Sequence, residues 1–212
     1  MKIGLLGTGR MGKGLAGLLN AGAEEAVWGS RTPDKAREIA RSQGWERIRA
    51  VTYEEALQAD LIIHTLWFRD VVPWALANSD FLKGKILVDV CNPFTEDFRD
   101  FTLPWGQSAA EALQEALPET RIAGAFKNTF FRVLEQPVHE GLLSDVYVTA
   151  NDESVRKTVL QALRRLPFRL LDAGELSNNR TIERMTLFSR EMAIRYGHYP
   201  YVSYRMFGLP NA

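Results

Sequence analysis

The stretch "KIGLLGTGRMGKGLAGLL", Lys2 to Leu19, constrains the fold more than any other part of the chain. An apolar run of strand length leads into Gly7-x-Gly9-x-x-Gly12. Apolar residues at helical spacing, Met11, Leu15, Leu18 and Leu19, follow at once. A strand, a glycine turn and a helix in that order form the phosphate-binding unit of dinucleotide-binding sheets. Gly7 permits the tight turn, Gly9 lets backbone approach a pyrophosphate, and Gly12 lets helix and strand pack closely. The helix start adds free N–H donors and a partial positive charge.

The same alternation continues downstream. Residues 25–30 read as a second strand. Thr32-Pro33 then starts a helix, with Thr as N-cap and Pro in the first turn, that carries residues 35–42. A short strand near 48–51 and a small helix at 53–58 come next. "ADLIIHTLW" and "GKILVDVCNP" are continuous apolar runs, as expected of strands buried on both faces. Residues 94–107 are rich in aromatics, Pro and Gly and read as a long functional loop. Helices at 108–116, 153–165 and 179–196 alternate with strands at 121–125, 145–149 and 168–171. An aromatic tail, "GHYPYVSYRMFG", closes the pattern. The expected fold is α/β: a Rossmann-type, doubly wound, mostly parallel sheet with a small C-terminal helical extension. A nucleotide-binding domain over 1–150 and an extension over 151–212 are expected, with one continuous domain as the alternative.

The end of the second strand carries chemistry of its own. Units that bind NAD place an Asp or Glu there to hold the ribose hydroxyls. This chain has Ser30-Arg31-Thr32, with Lys35 and Arg37 one turn further on. A guanidinium attracts the 2′-phosphate that a carboxylate would repel, and its planar fork matches phosphate oxygens. The ligand this arrangement suits is NADP rather than NAD.

Composition narrows the remaining classes. Lys+Arg and Asp+Glu balance at 26 each among 212 residues, so no global field draws in nucleic acid or an anionic membrane. The single cysteine, Cys91, excludes an internal disulfide framework and agrees with a reducing cytoplasm. No signal-peptide pattern or membrane-length apolar run is visible, so a cytoplasmic protein is expected. His64 reads as a packed core residue. His139 and His198 share no ligand spacing with other donors, so no metal site is expected. Cys91 reads as a small buried hydrophobe, with a redox role left open. Phe94, Phe98, Phe101 and Trp105 either lid a flat ring or cover the edge of the core.

Four stretches together resemble the NADP oxidoreductases dependent on coenzyme F420, a deazaflavin. They are "LLGTGRMGKGLAGLL", "VWGSRTPDKA", "SAAEAL" and "LLDAGELSNNRTIE". The last is the more specific, because it lies outside the general nucleotide pattern. The chain is also similar to the cytoplasmic oxidoreductase domain of STEAP-type membrane metalloreductases, which use NADPH and a flavin. Both likenesses run over nearly the whole chain. The resemblance implies that Thr8, Gly9, Arg10 and Met11 form the pyrophosphate turn and that Ser30 and Arg31 contact the 2′-phosphate. It implies that Thr65, Leu66 and Trp67 pass the nicotinamide half and that Asn92 and Pro93 form the next strand end. "GAFKNTF", residues 124–130, matches the segment that faces the second cofactor. There the F420 enzymes carry a His-Thr pair and the metalloreductases Phe-Asn, where this chain has Lys127-Asn128-Thr129. F420, FMN and FAD all stay open as the second cofactor.

Hydride transfer between a nicotinamide and a flavin-type ring needs two stacked rings in a dry site, and no acid or base in the transfer step. Lys127 and Asn128 are the candidates for a direct role, with Lys127 placing positive charge near the ring's pyrimidine edge. Rival readings are a reductase of small imino or keto acids, reduction of ferric ion through a flavin, and a non-catalytic NADPH-sensing module. The last predicted helix is apolar over more than one stripe. With the Tyr-rich tail it points to a homodimer, and a fold-back within one chain explains the same pattern.

Overall fold

The apolar runs become strands buried on both faces. In the computed structural model, which describes residues 1–23 and 25–210, the main sheet has six parallel strands. They are β1 (Lys2–Leu6), β2 (Glu25–Gly29), β3 (Arg49–Val51), β4 (Leu61–His64), β5 (Ile86–Asp89) and β6 (Arg121–Gly124). Their order, β3-β2-β1-β4-β5-β6, is that of the doubly wound dinucleotide-binding sheet. Reversal of direction at β1 leaves a crevice at the strand C-termini, where Leu6 pairs with His64 and His64 with Asp89.

Alternate residues of each strand feed two separate cores. Leu5, Ile63 and Val88 face α1 (Arg10–Gly22) and α7 (Glu153–Leu163), meeting Leu15, Leu19, Val155 and Val159. Leu6, Ile62 and Leu87 face the other side and meet Val71, Ala75 and Leu113. That second layer contains α3 (Tyr53–Ala56), α4 (Phe68–Ala77), α5 (Ser79–Leu82) and α6 (Ala109–Ala116). α2 (Pro33–Ser42) packs beside β3. Local sequence sets several helix starts. Thr52 with Glu55, and Ser108 with Glu111, form complete capping boxes at α3 and α6.

Two local expectations change. Thr32 is the N-cap of α2, but its side chain makes no cap hydrogen bond. Its backbone N–H instead donates to Ser30 Oγ at 3.0 Å. α4 has no counterpart in the sequence reading, because Pro73 sits inside it and removes a donor that a helix normally uses. Buried Val71 and Ala75 hold α4 to the sheet nonetheless.

Beyond β6 come a short hairpin, β7 (Val138–His139) with β8 (Leu142–Leu143), and a parallel pair, β9 (Asp145–Val148) with β10 (Arg169–Asp172). An antiparallel bridge from Gly124 to Thr149 joins this pair to the main sheet. A boundary at residue 150 therefore falls between two paired strands, and Val146 and Val159 share one core with Ile3 and Leu5. α8 (Asn179–Arg195) is followed by the tail, which lies on its own chain. Arg169 grips Asp145 with two hydrogen bonds of 2.7 Å. Asp145 Oδ2 accepts from Met206 N–H at 2.7 Å, and Tyr204 donates its hydroxyl to the Met185 carbonyl at 2.8 Å. Among the described residues, no helix is long and apolar enough to cross a membrane.

Candidate active site

The glycine turn is held from below. Gly7 has φ +105°, and its carbonyl accepts from the buried Trp28 indole N–H at 2.8 Å. A Cβ on Gly12 would lie 2.1 Å from that same carbonyl, so only glycine lets α1 start so close to β1. Gly9 differs, since a Cβ there would meet no protein atom within 4 Å. It faces open space at the N-terminus of α1, where no side chain caps the helix and no acid stands in the first turn. The space and the uncapped N–H donors fit a pyrophosphate.

The adenosine end is equally open. Ser30 is buried, and its hydroxyl oxygen holds the start of α2. Arg31, Thr32 and Lys35 are exposed beside it. Arg31 makes no ion pair among the described residues, and its guanidinium stands near Tyr53. Burial raises the Tyr53 hydroxyl pKa while the Arg31 charge opposes that rise. This end can bind an anion without first breaking a salt bridge.

From Gly9, Arg10 and Met11 one cleft of about 200 Å³ runs across the strand ends. Thr65, Leu66, Trp67, Cys91 and Asn92 line its floor. Phe94 and Phe98 form part of the wall, their rings 5.5 Å apart and tilted at 52°, and Phe98 is 5.9 Å from Trp67. Phe98 has φ +58°, a left-handed conformation unusual for an aromatic residue. The aromatic loop divides, because Phe101 is buried and Trp105 is exposed under the Arg184 guanidinium. Phe126, Thr129, Phe130 and Phe131 supply another part of the wall, and Thr186, Arg190 and Tyr199 the rest. Asn92 donates from Nδ2 to the Lys127 carbonyl at 2.8 Å, which leaves its Oδ1 without a partner. A wider depression of about 760 Å³ on α7 and β10 carries none of these groups.

Lys127 departs from its expected place. It is 1 % exposed and lies beneath the cleft floor rather than on a ring edge. Its ammonium is 2.7 Å from Asp89, 2.8 Å from Glu183 on α8, and donates to the Cys91 carbonyl at 2.6 Å. Burial works against charge on Asp89, yet Lys127 and His64 prevail and hold its carboxyl below the usual range. Burial raises Glu183 above that range, with Lys127 pulling the other way. The two carboxylates outweigh burial at Lys127 and keep it charged. Asn128 is also buried, and its amide donates to the Asp145 carbonyl at 2.8 Å. Pro93 is buried too, and its carbonyl anchors the aromatic loop by accepting from Thr102 N–H at 2.7 Å. The lysine and asparagine thus brace the site from within.

His64, Asp89 and Cys91 bring three donor atoms within 4.8 Å of one another. A cation there would meet the Lys127 ammonium on the same carboxylate, and burial raises the Cys91 thiol well above its ordinary pKa. The group therefore reads as packing around an ion pair. Phe130 closes the segment expected to face the second cofactor, whereas the sequence reading passed over Phe131, Thr186, Arg190 and Tyr199, which also line the cleft. One signal for two of them exists: Thr186 and Arg190 lie one turn apart on one side of the same helix.

Comparison with known proteins agrees with this fold. Residues 2–93 match the family described as "NADP oxidoreductase coenzyme F420-dependent". An F420-dependent NADP reductase of Methanocaldococcus jannaschii is 31% identical over 211 residues, covering 92% of this chain and 94% of the relative. The metalloreductase STEAP3 of Rattus norvegicus is 32% identical over 187 residues, 88% of this chain but 36% of that longer protein. The crystal structure of a putative F420-dependent NADP reductase from Arthrobacter sp. FB24 superposes with a TM-score of 0.80 at 21% identity. That superposition covers 93% of this chain and 95% of the other. The chain belongs to the family of coenzyme F420-dependent NADP oxidoreductases.

Proposed function

We propose that this protein passes a hydride between NADP(H) and a flavin or deazaflavin ring, with F420, FMN and FAD as the candidate partners. One observation carries the reading. The nucleotide turn at Gly9 and an aromatic wall built from Phe94, Phe98 and Phe130 belong to the same cleft. NADPH, when bound, supplies the hydride from its nicotinamide. The chain's own residues bind, orient and exclude water. α1 and Arg10 hold the pyrophosphate, while Ser30, Arg31, Thr32 and Lys35 surround the 2′-phosphate. Thr65, Leu66, Trp67 and Asn92 bound the space left for the nicotinamide. The phenyl rings give a flat partner a face to stack on and leave water little room. The cleft lining among the described residues contains no carboxylate, imidazole or amine, as suits a step that needs no acid or base.

Stopped-flow mixing of the purified protein with NADPH and each of F420, FMN and FAD tests the reading. Bleaching of one ring's absorbance in step with NADPH oxidation is the expected result. Tight NADPH binding with no ring reduced ends it. Turnover of a cyclic imine in place of any ring moves the protein to the rival class of imine reduction.

A further inference from the structure

The second half of the cleft contains one cation that the reading above leaves unused. α8 carries four arginines, at 180, 184, 190 and 195. Arg180 is bound to Glu111 through hydrogen bonds of 2.9 and 3.0 Å. Arg184 donates to the Leu103 carbonyl at 2.9 Å and stacks on Trp105 and Phe101. Arg195 pairs with Glu191 at 2.7 Å. Arg190 alone makes no ion pair among the described residues. Its guanidinium lies 5.9 Å above the Tyr199 ring, and it lines the cleft one turn beyond Thr186.

The nearby acids are already committed. Glu183 faces Lys127 and Ala109 N–H, and Glu191 faces Arg195. Tyr199 in turn packs edge-on against Phe130 at 5.7 Å, which continues the aromatic wall. A planar cation thus stands at the edge of a ring-binding wall, half-buried and with its donors unclaimed. Arg10, the other cation of the lining, sits over Phe131 at the start of α1 and serves the pyrophosphate in the proposed reading.

We infer that Arg190 selects a ring partner that bears an anionic group, phosphate or carboxylate, over the same ring without one. A guanidinium matches either anion with two parallel N–H donors, and such charge-assisted bonds are about twice as strong as neutral ones. The inference rests on the proposed ring partner and assigns one residue to the anionic group that F420, FMN and FAD all carry.

Fluorescence titration of the NADP-loaded protein with riboflavin, FMN and a flavin carrying an N10-carboxymethyl group tests it. The first lacks an anion, the second has a phosphate and the third a carboxylate. Wild-type protein is expected to bind FMN or the carboxymethyl flavin at least tenfold more tightly than riboflavin. In Arg190→Gln the preference is expected to fall to about one, and in Arg190→Lys to lie between. Equal binding of all three rings by the wild type overturns the inference, as does a preference that survives Arg190→Gln. Binding of no ring overturns this inference and the ring partner together. An Arg190-dependent preference without NADPH turnover upholds the anion site and removes hydride transfer.

Discussion

Arg31 and the three glycines of the first turn show how single residues divide the work. Arg31 is exposed, unpaired among the described residues and next to the start of α2, so replacing it leaves the core intact. Arg31→Asp is expected to shift the NADP-to-NAD preference toward NAD by roughly 10- to 100-fold, the range of a lost charge-assisted hydrogen bond. Paired kcat/KM measurements check this. Gly9 and Gly12 are expected to part company. Gly9→Val adds a side chain into open space, so thermal melting stays near wild type while NADP affinity falls at least tenfold. Gly12→Ala drives a methyl group onto the Gly7 carbonyl and is expected to lower stability by about 1–3 kcal/mol, read by urea denaturation. The geometry of this turn was legible in the sequence because the turn is local and each glycine's place follows from its offset. Lys127 was not legible. Its partners Asp89 and Glu183 lie 38 and 56 positions away, and only the folded sheet brings them together.

At the level of elements, the Asp89–Lys127–Glu183 bridge fastens α8 and the start of α6 to the floor of the cleft. Glu183 accepts the Ala109 N–H at 3.1 Å as well as the lysine's charge. Removing one partner of a buried pair strands the others, so Lys127→Met is expected to cost about 3–5 kcal/mol. The bridge also fixes a pH signature. Asp89 has a lowered pKa, so its contribution is present above the ordinary carboxylate range and is lost as pH falls through and below about 4. Glu183 has a raised pKa, so the fold binds its proton first and gains stability as pH falls toward about 4. Urea midpoints for Glu183→Gln are expected to lose the gain on mild acidification and keep the loss below about pH 4. Most strands were plain from their apolar runs. α4 escaped because Pro73 breaks the local signal, while packing against the sheet decides the outcome.

Across the whole molecule, the doubly wound order follows from alternating apolar runs and was readable in advance. The course of the tail was not, since aromatic residues look alike whether they cover their own chain or a second copy. Here Asp145 and Arg169 claim the tail backbone. The outer face of α8 still presents Phe188 and Ile194, and the tail presents Phe207. We propose that two copies pair through these residues. Light scattering should give twice the chain mass, and Phe188→Asp should halve it. A wild-type monomer at micromolar concentration would dismiss the pairing. The cleft is assembled from distant parts of the chain. The phosphate turn is built from the first 35 residues, whereas Thr186, Arg190 and Tyr199 come from α8 and the segment after it. A product clipped ahead of α8 would lose those three residues together with the Glu183 carboxylate, and the buried Lys127 ammonium would keep one carboxylate in place of two. Truncation there is expected to fail as folding before it fails as binding.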